Sequence, residues 1–375
     1  MSIPKSSITR MALTATLKSV SCAIAPRLRA RLRQMSKLQP GTIVHLPSID
    51  LVQKMTLFAE GGYNSIWLVE LHELVEGVDT FILRLPCNDA LLPYQVTNEV
   101  AFRQFVAAKL PHIPVPRVFH YEATDHYESS FIAEEFIQGD NLSTVWMTLG
   151  VTQKEIFARK LAKTLVDLAE VQFDQIGGLD PEIFSPAPTV EGVKIFKGRG
   201  KFHSNDCYSI GPYRTTKEYI LACYDREIYY YSHASAEDLD SDLFQDHSVQ
   251  SFIGQLQERR RELALKDIAD EPFVLVHGDF HARNVLVRND QIVAILDWEF
   301  AGAYPLSETL SGGDVEVVDA TSQELDEENT IWGQKIRDFL SLEVKSRGWH
   351  QGTISAILGD GNKDLGLART EMYPS

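Results

Sequence analysis

The 375 residues contain no apolar run near the roughly 18 residues that a bilayer-spanning helix needs, so no membrane span is expected. Cysteine is scarce: Cys22, Cys87, Cys207 and Cys223 are widely spaced, with no Cys-x-x-Cys pair. That pattern suggests neither a zinc site nor a disulfide framework and points to a reducing compartment. Positive charge is also in deficit. The formal net charge of −16 argues against nucleic acid or an anionic membrane as a main partner. It is compatible with a cationic small substrate without requiring one. No internal repeat of solenoid length is present.

One further absence is local. Residues 1–49 hold no Asp or Glu, and the first acid is Asp50. The same segment carries Lys5, Arg10, Lys18, Arg27, Arg29, Arg31, Arg33 and Lys37 among several Ser and Thr. A basic, Ser-rich, acid-poor start reads as a mitochondrial targeting segment. The alternative is a basic arm with no address in an otherwise cytoplasmic protein. A secretory signal fits less well, because Lys18 interrupts the apolar stretch from Leu13 to Ala25. Beyond this extension the composition is that of an ordinary globular chain, 44 % hydrophobic and 23 % charged, long enough for one or two domains.

Residues 50–137 alternate strand-like and turn-like stretches around one helix. Phe58 to Glu70 reads as strand, glycine turn and strand, and Thr80 to Pro86 as a further strand. Asn98 to Leu110 reads as a helix with Val100, Phe102, Phe105, Val106 and Leu110 as its apolar stripe. Arg117–Tyr121 and Ser130–Ile137 complete a small sheet. Residues 138–358 turn mostly helical, with helices expected over Gln153–Phe173, Tyr213–Tyr231 and Gln250–Leu265. The acidic stretches 235–246 and 314–328 read as solvated, and residues 359–375 as a loose tail.

The most informative segment runs from Leu275 to Glu299. Val285–Val287 and Ile292–Leu296 flank the turn Arg288-Asn-Asp-Gln291 and predict a hairpin. Asn284 precedes its first strand and Asp297 follows its second, so antiparallel pairing brings both to one end. Asp279 lies in the loop feeding that end. Three oxygen-bearing side chains then converge, a set that suits a carboxylate base and two magnesium ligands. Turn chemistry alone would also favour Asp and Asn here. Alternating His277, Asp279 and His281 leave open a transition-metal cluster instead.

The run His277-Gly-Asp-x4-Asn284 followed by Leu296-Asp-Trp-Glu299 resembles the catalytic segment of the aminoglycoside phosphotransferase and choline kinase-like family, in a fungal-type member. The resemblance spans about residues 50–310. It implies an α+β, protein-kinase-like fold of two lobes, a small β-rich one and a larger helical one. It also implies an ATP- and Mg²⁺-dependent kinase acting on a hydroxyl of a small molecule. Asp279 would be the base, Asn284 and Asp297 the metal ligands, and His277 a prop for the loop. No Asp-Phe-Gly or Ala-Pro-Glu is present, which disfavours a protein kinase.

The same resemblance assigns the nucleotide side. Gly61, Gly62, Asn64 and Ser65 would form the loop over the phosphates, although Gly-Gly between strands is by itself only a hairpin signal and no Walker-type Gly-Lys-Ser/Thr follows. Arg84 stands where protein kinases carry a phosphate-pairing Lys, and Glu99 where they carry its ion-pair partner. Taken alone, the pair would be an ordinary surface contact. Backbone groups near Glu135 and Ile137 would bond adenine, and Gly139 would turn the chain into the large lobe. Tyr224, Tyr229, Tyr230, Tyr231 and Trp298 could cage a quaternary amine or could simply be core. The Arg84 departure and the basic extension leave a second reading, a catalytically weak nucleotide-binding regulatory protein of mitochondria.

Overall fold

The computed structural model describes residues 52–75, 77–190, 198–239, 244, 248–310 and 313–372. The basic extension 1–49, with the targeting reading placed on it, lies outside the described residues.

Five antiparallel strands build the first lobe: β1 (Val52–Glu60), β2 (Asn64–Val75), β3 (Val78–Pro86), β4 (Val118–Glu122) and β5 (Phe131–Glu135), in the order β1-β2-β3-β5-β4. Strand β3 is central, and Phe81 to Pro86 are all buried. Successive side chains alternate between faces. Phe81, Leu83 and Leu85 join Trp67, Val69, Phe119 and Phe131 in one core. Ile82 and Arg84 point the other way. Arg84 pairs with Ile132 across the ladder, and Ile132 packs on Val96 and Val100 of helix α1 (Tyr94–Lys109). Arg84 is thereby placed on the helix-covered face.

Helix α1 starts at Tyr94, ahead of the expected Asn98, because Pro93 supplies a fixed φ suited to a helix start. Val100, Phe102 and Val106 of the expected stripe are buried, and so are Gln95, Asn98, Glu99 and Arg103. Hydrophobic periodicity gave no sign of that second, polar face. Ala101, Phe102 and Val106 belong to the core of the second lobe, so one helix is packed into both.

The second lobe is mainly helical. Helix α2 (Val151–Ala169) packs on α5 (Gln323–Ser346), and α3 (Thr216–His233) on α4 (Val249–Leu265). The short strand β7 (Gln172–Phe173) and strands β10 (Phe273–Val276) and β13 (Gly302–Pro305) form one sheet with β10 at its centre. Strand β6 (Asp140–Asn141) pairs with the hairpin of β11 (Val285–Arg288) and β12 (Gln291–Ile295). Between β7 and α3 lies the small pair β8 (Gly178–Leu179) and β9 (Pro186–Ala187). This is the two-lobed α+β arrangement that the resemblance implies. Among the described residues no helix is long and apolar enough to cross a membrane.

Two expectations need correction. The tail is not loose: α6 (Lys363–Glu371) sets Leu365 and Ala368 in a core with Tyr224, Phe252 and Leu263, and Glu371 accepts from Tyr224 Oη and Arg259 Nε at 2.7 and 2.9 Å. Its few apolar residues count because α3 and α4 present a prepared surface. The 314–328 stretch is not simply solvated either. Val315, Val317 and Val318 are buried, Asp314 accepts from Arg337 Nε at 2.8 Å, and Glu328 accepts from Trp146 Nε1 at 2.9 Å. Of the two readings open for the aromatics, core packing holds for Tyr224, Tyr230, Tyr231 and Trp298, all of them buried.

Trp146 anchors the α2–α5 contact. It is fully buried and meets Trp332 edge to face at 5.4 Å. Trp146→Ala should therefore lower unfolding free energy by about 3–5 kcal/mol in urea titration, the usual cost of emptying such a site. A loss under 1 kcal/mol would mean that this contact does not hold the helical lobe together.

Candidate active site

The hairpin closes through Asn289 and Asp290, both at positive φ (50° and 58°), as a two-residue turn between right-twisted strands requires. Val285 pairs with Ile295, and Leu296 N–H donates to Asn284 C=O at 2.8 Å. Asn284 and Asp297 therefore leave the same end of the hairpin. Asp297 adopts φ 63°, a left-handed conformation that Asp tolerates better than most residues. Behind it the fully buried Trp298 donates from Nε1 to Ile295 C=O at 3.0 Å.

His277 joins the pieces. It is buried at the end of β10, with Nε2 2.9 Å from Leu296 C=O, and Nδ1 accepts from the Asp279 N–H at 3.3 Å. These partners assign the proton to Nε2. Burial holds the ring neutral and pushes its pKa down to about 4, against the raising influence of Asp279 and Asp297. With both ring nitrogens engaged, His277 has no lone pair for a metal, so the cluster His277–Asp279–His281 does not form. Gly278 sits at φ 82°, where an added Cβ would lie 2.3 Å from Phe300 C=O. Only glycine lets the loop pass that close.

Asp279 is held from three sides. Oδ1 accepts from Arg283 Nη2 at 2.8 Å and lies 3.3 Å from His281 Nε2, while Oδ2 accepts from Asn284 Nδ2 at 2.8 Å. Burial alone would raise its pKa. The bond from His281, the charges of Arg283 and His281, and the bond from Asn284 outweigh burial and bring it down to about 2. With its amide nitrogen given to Asp279, Asn284 has its carbonyl oxygen to offer as a ligand. Glu316 completes the wall, 3.4 Å from Arg283 Nη1. Beside Asp279 lies a cleft of about 490 Å³, counted out to open solvent, lined by Leu165, Phe280, His281, Glu308 and Asp314 among others.

On the opposite side Arg84 is buried among carboxylates. It pairs with Glu99, reaches Asp297 Oδ1 at 3.2 Å and lies 3.7 Å from Glu299 Oε2. Arg103 pairs with Glu134 and lies 3.6 Å from Glu99. The Arg84–Glu99 contact is thus a buried pair, not a surface one. Burial opposes the Arg84 charge, but Glu99, Glu134, Asp297 and Glu299 together raise its pKa. Burial pushes Glu99 up to about 7 despite Arg84 and Arg103. Glu299 rises to about 8 through burial and the Asp297 charge.

The glycine turn closes when Gly61 N–H donates to Asn64 C=O at 2.8 Å. Gly62 lies in the same β1–β2 connection. The Asn64 side chain, expected at phosphate, instead donates to Glu299 Oε2 at 2.7 Å. Ser65 Oγ accepts from Trp67 Nε1 at 3.3 Å. Glu135 N–H is committed to Arg117 C=O at 2.9 Å within the sheet. At Gly139 an added Cβ would come within 3.2 Å of Val287 C=O, so the crossing between lobes is laid tightly on the hairpin. Sequence reasoning missed Gln95, Arg283, Glu299 and Glu316. The signals were present for Arg283, four residues after Asp279, and for Glu299, inside the motif itself.

The His277 environment has a pH consequence. The unfolded chain takes up a proton near pH 6.5 that the folded ring refuses until about 4, so folding stability falls as pH drops through that interval. His277→Asn should flatten the stability–pH curve there by up to about 1.4 kcal/mol per pH unit, measured by urea titration. An unchanged slope would show that His277 is not held neutral.

The phosphotransferase enzyme family model matches residues 54–310, more than half of the chain. No curated protein matches it. Similar solved structures include aminoglycoside phosphotransferase APH(4)-Ia, 18 % identical over 90 % of this chain and 99 % of that one, TM-score 0.46. The gentamicin–APH(2")-IIa complex is 14 % identical over 86 % and 91 %, TM-score 0.45. ADP-bound APH(2'')-Ib is 13 % identical over 84 % and 95 %, TM-score 0.43. Likeness at that level carries no argument about chemistry. The extent of the family match, laid over the sheet, the helical lobe and the loop from His277 to Glu299, makes this chain a member of the phosphotransferase enzyme family.

Proposed function

We propose that the protein transfers the γ-phosphoryl group of ATP, bound with Mg²⁺, to a hydroxyl of a small molecule. The observation that carries this reading is the pairing of Asp279, ionised and clamped by Arg283, His281 and Asn284, with Asp297 at the mouth of the same hairpin. A carboxylate with a pKa of about 2 is a weak base. Its task is to align the acceptor hydroxyl in line with phosphorus and to receive the proton late, which suits a loose phosphoryl-transfer transition state. The acceptor would enter by the cleft beside Asp279 and His281.

The residues present fit magnesium. Asn284 Oδ1 and the Asp297 carboxylate are hard oxygen donors. Magnesium held there would neutralise phosphate charge. Arg84, fixed by Glu99, holds the Asp297 carboxylate in place through Oδ1 at 3.2 Å. The turn Gly61–Ser65 would cover the phosphates, with adenine against the backbone of Phe136 and Ile137. The basic, acid-free segment 1–49 supports a mitochondrial location.

A second reading, a nucleotide-binding regulator with little turnover, is favoured by one observation: Arg84 is already engaged by Glu99 and Asp297. ATP turnover against a panel of alcohols and amino-alcohols separates the two. Asp279→Asn should cut phosphoryl transfer by about 10²–10⁴-fold while nucleotide binding survives. Asp297→Ala should weaken Mg-ATP binding at least about tenfold. Turnover retained in the first variant removes the role given to Asp279, and unchanged affinity in the second removes the metal assignment.

A further inference from the structure

Glu299 has no task in the mechanism above, although it is 4 % exposed and two residues from Asp297. Three side chains of the small lobe converge on its Oε2. Asn64 Nδ2 and Gln95 Nε2 each donate at 2.7 Å, and Arg84 Nη2 lies at 3.7 Å. The Gln95 amide is oriented by a second bond, since its Oε1 accepts from Leu91 N–H at 2.8 Å. Its nitrogen must then face Glu299. The Glu299 backbone is gripped too: Asn98 Nδ2 lies 3.3 Å from its C=O and donates to Ala301 C=O at 2.8 Å. One residue later, Phe300 meets Tyr63 of the glycine turn edge to face at 5.6 Å. The turn, strand β3 and helix α1 are therefore all tied to the segment that follows Asp297.

We propose that Glu299 is a positioning residue: through Asn64 it fixes the glycine turn, and with Gln95 and Arg84 it sets the small lobe at a defined height above the candidate metal ligand Asp297. Nucleotide affinity then depends on a hydrogen-bond latch between Asn64 and Glu299. This rests on the reading that ATP lies beneath that turn. A role as third metal ligand is the competing assignment. Oε2 is already bonded to two amide donors, and a latch, unlike a ligand, acts whether or not metal is present.

Nucleotide affinity of the full chain, measured by calorimetry with ATP in Mg²⁺ and again in EDTA, tests the latch. Asn64→Ala and Glu299→Ala should each weaken binding about tenfold, equivalent to about 1.4 kcal/mol, in both media. The double variant should be no weaker than Glu299→Ala alone, because Asn64 has no latch bond left to lose once the Glu299 carboxyl is gone. Glu299→Gln keeps an oxygen for Asn64 and should bind within about threefold of the unaltered protein. Should Glu299→Ala not fold, Asn64→Ala and Glu299→Gln carry the test by themselves, the first losing about tenfold and the second staying within about threefold. Additive losses, unchanged single variants, or a Glu299→Ala loss seen only with Mg²⁺ would overturn the latch. Failure of the unaltered protein to bind ATP would instead remove the phosphotransferase reading, and the latch with it.

Discussion

A guanidinium buried among carboxylates sets the geometry of this protein. Arg84 sits on the central strand of the small sheet, yet its partners Glu99, Asp297 and Glu299 come from a helix and from the far lobe. Burying a charge is tolerable only when opposite charge and hydrogen bonds replace water. Arg84 therefore requires α1 to lie against β3 and requires the segment after β12 to reach under the sheet. The seating of the small sheet on the segment after Asp297 follows from meeting that requirement.

The loop from His277 to Asn284 answers a different constraint. Backbone must pass through Gly278 close to Phe300, turn left-handed at Asp297 and keep its polar groups bonded. His277 satisfies this as a neutral ring, donating to Leu296 and accepting from Asp279, so one buried side chain couples the loop to the end of the hairpin. Arg283 and Asn284 then hold the two oxygens of the Asp279 carboxylate. The order of effects runs from backbone shape, to side-chain orientation, to the charge state that the proposed chemistry needs.

Local pattern carried much of this. The Asn289-Asp290 turn between two apolar runs specified the hairpin, and the hairpin specified that Asn284 and Asp297 share an end, because antiparallel pairing leaves no other outcome. The main helices were legible from periodicity because each buries one face, and strand β3 from its short apolar run ending at a proline. Helix α1 was legible only in part, since its second buried face is polar and the signal for hydrophobic packing is silent there. The tail helix was missed because its apolar contacts are few and depend on a surface built by α3 and α4.

By itself, then, the sequence determined the order of the main elements, the family motif and the placing of Asn284 and Asp297 at one end of the hairpin. These rest on neighbours a few residues apart, where spacing and hydrogen-bond geometry act directly. Tertiary structure decided what each charged group touches. Asn64 and Glu299 are separated by 235 residues and Arg84 and Asp297 by 213, and no local pattern encodes such a meeting. It arises because a buried charge must find its counter-charge wherever the packed lobes bring one within reach.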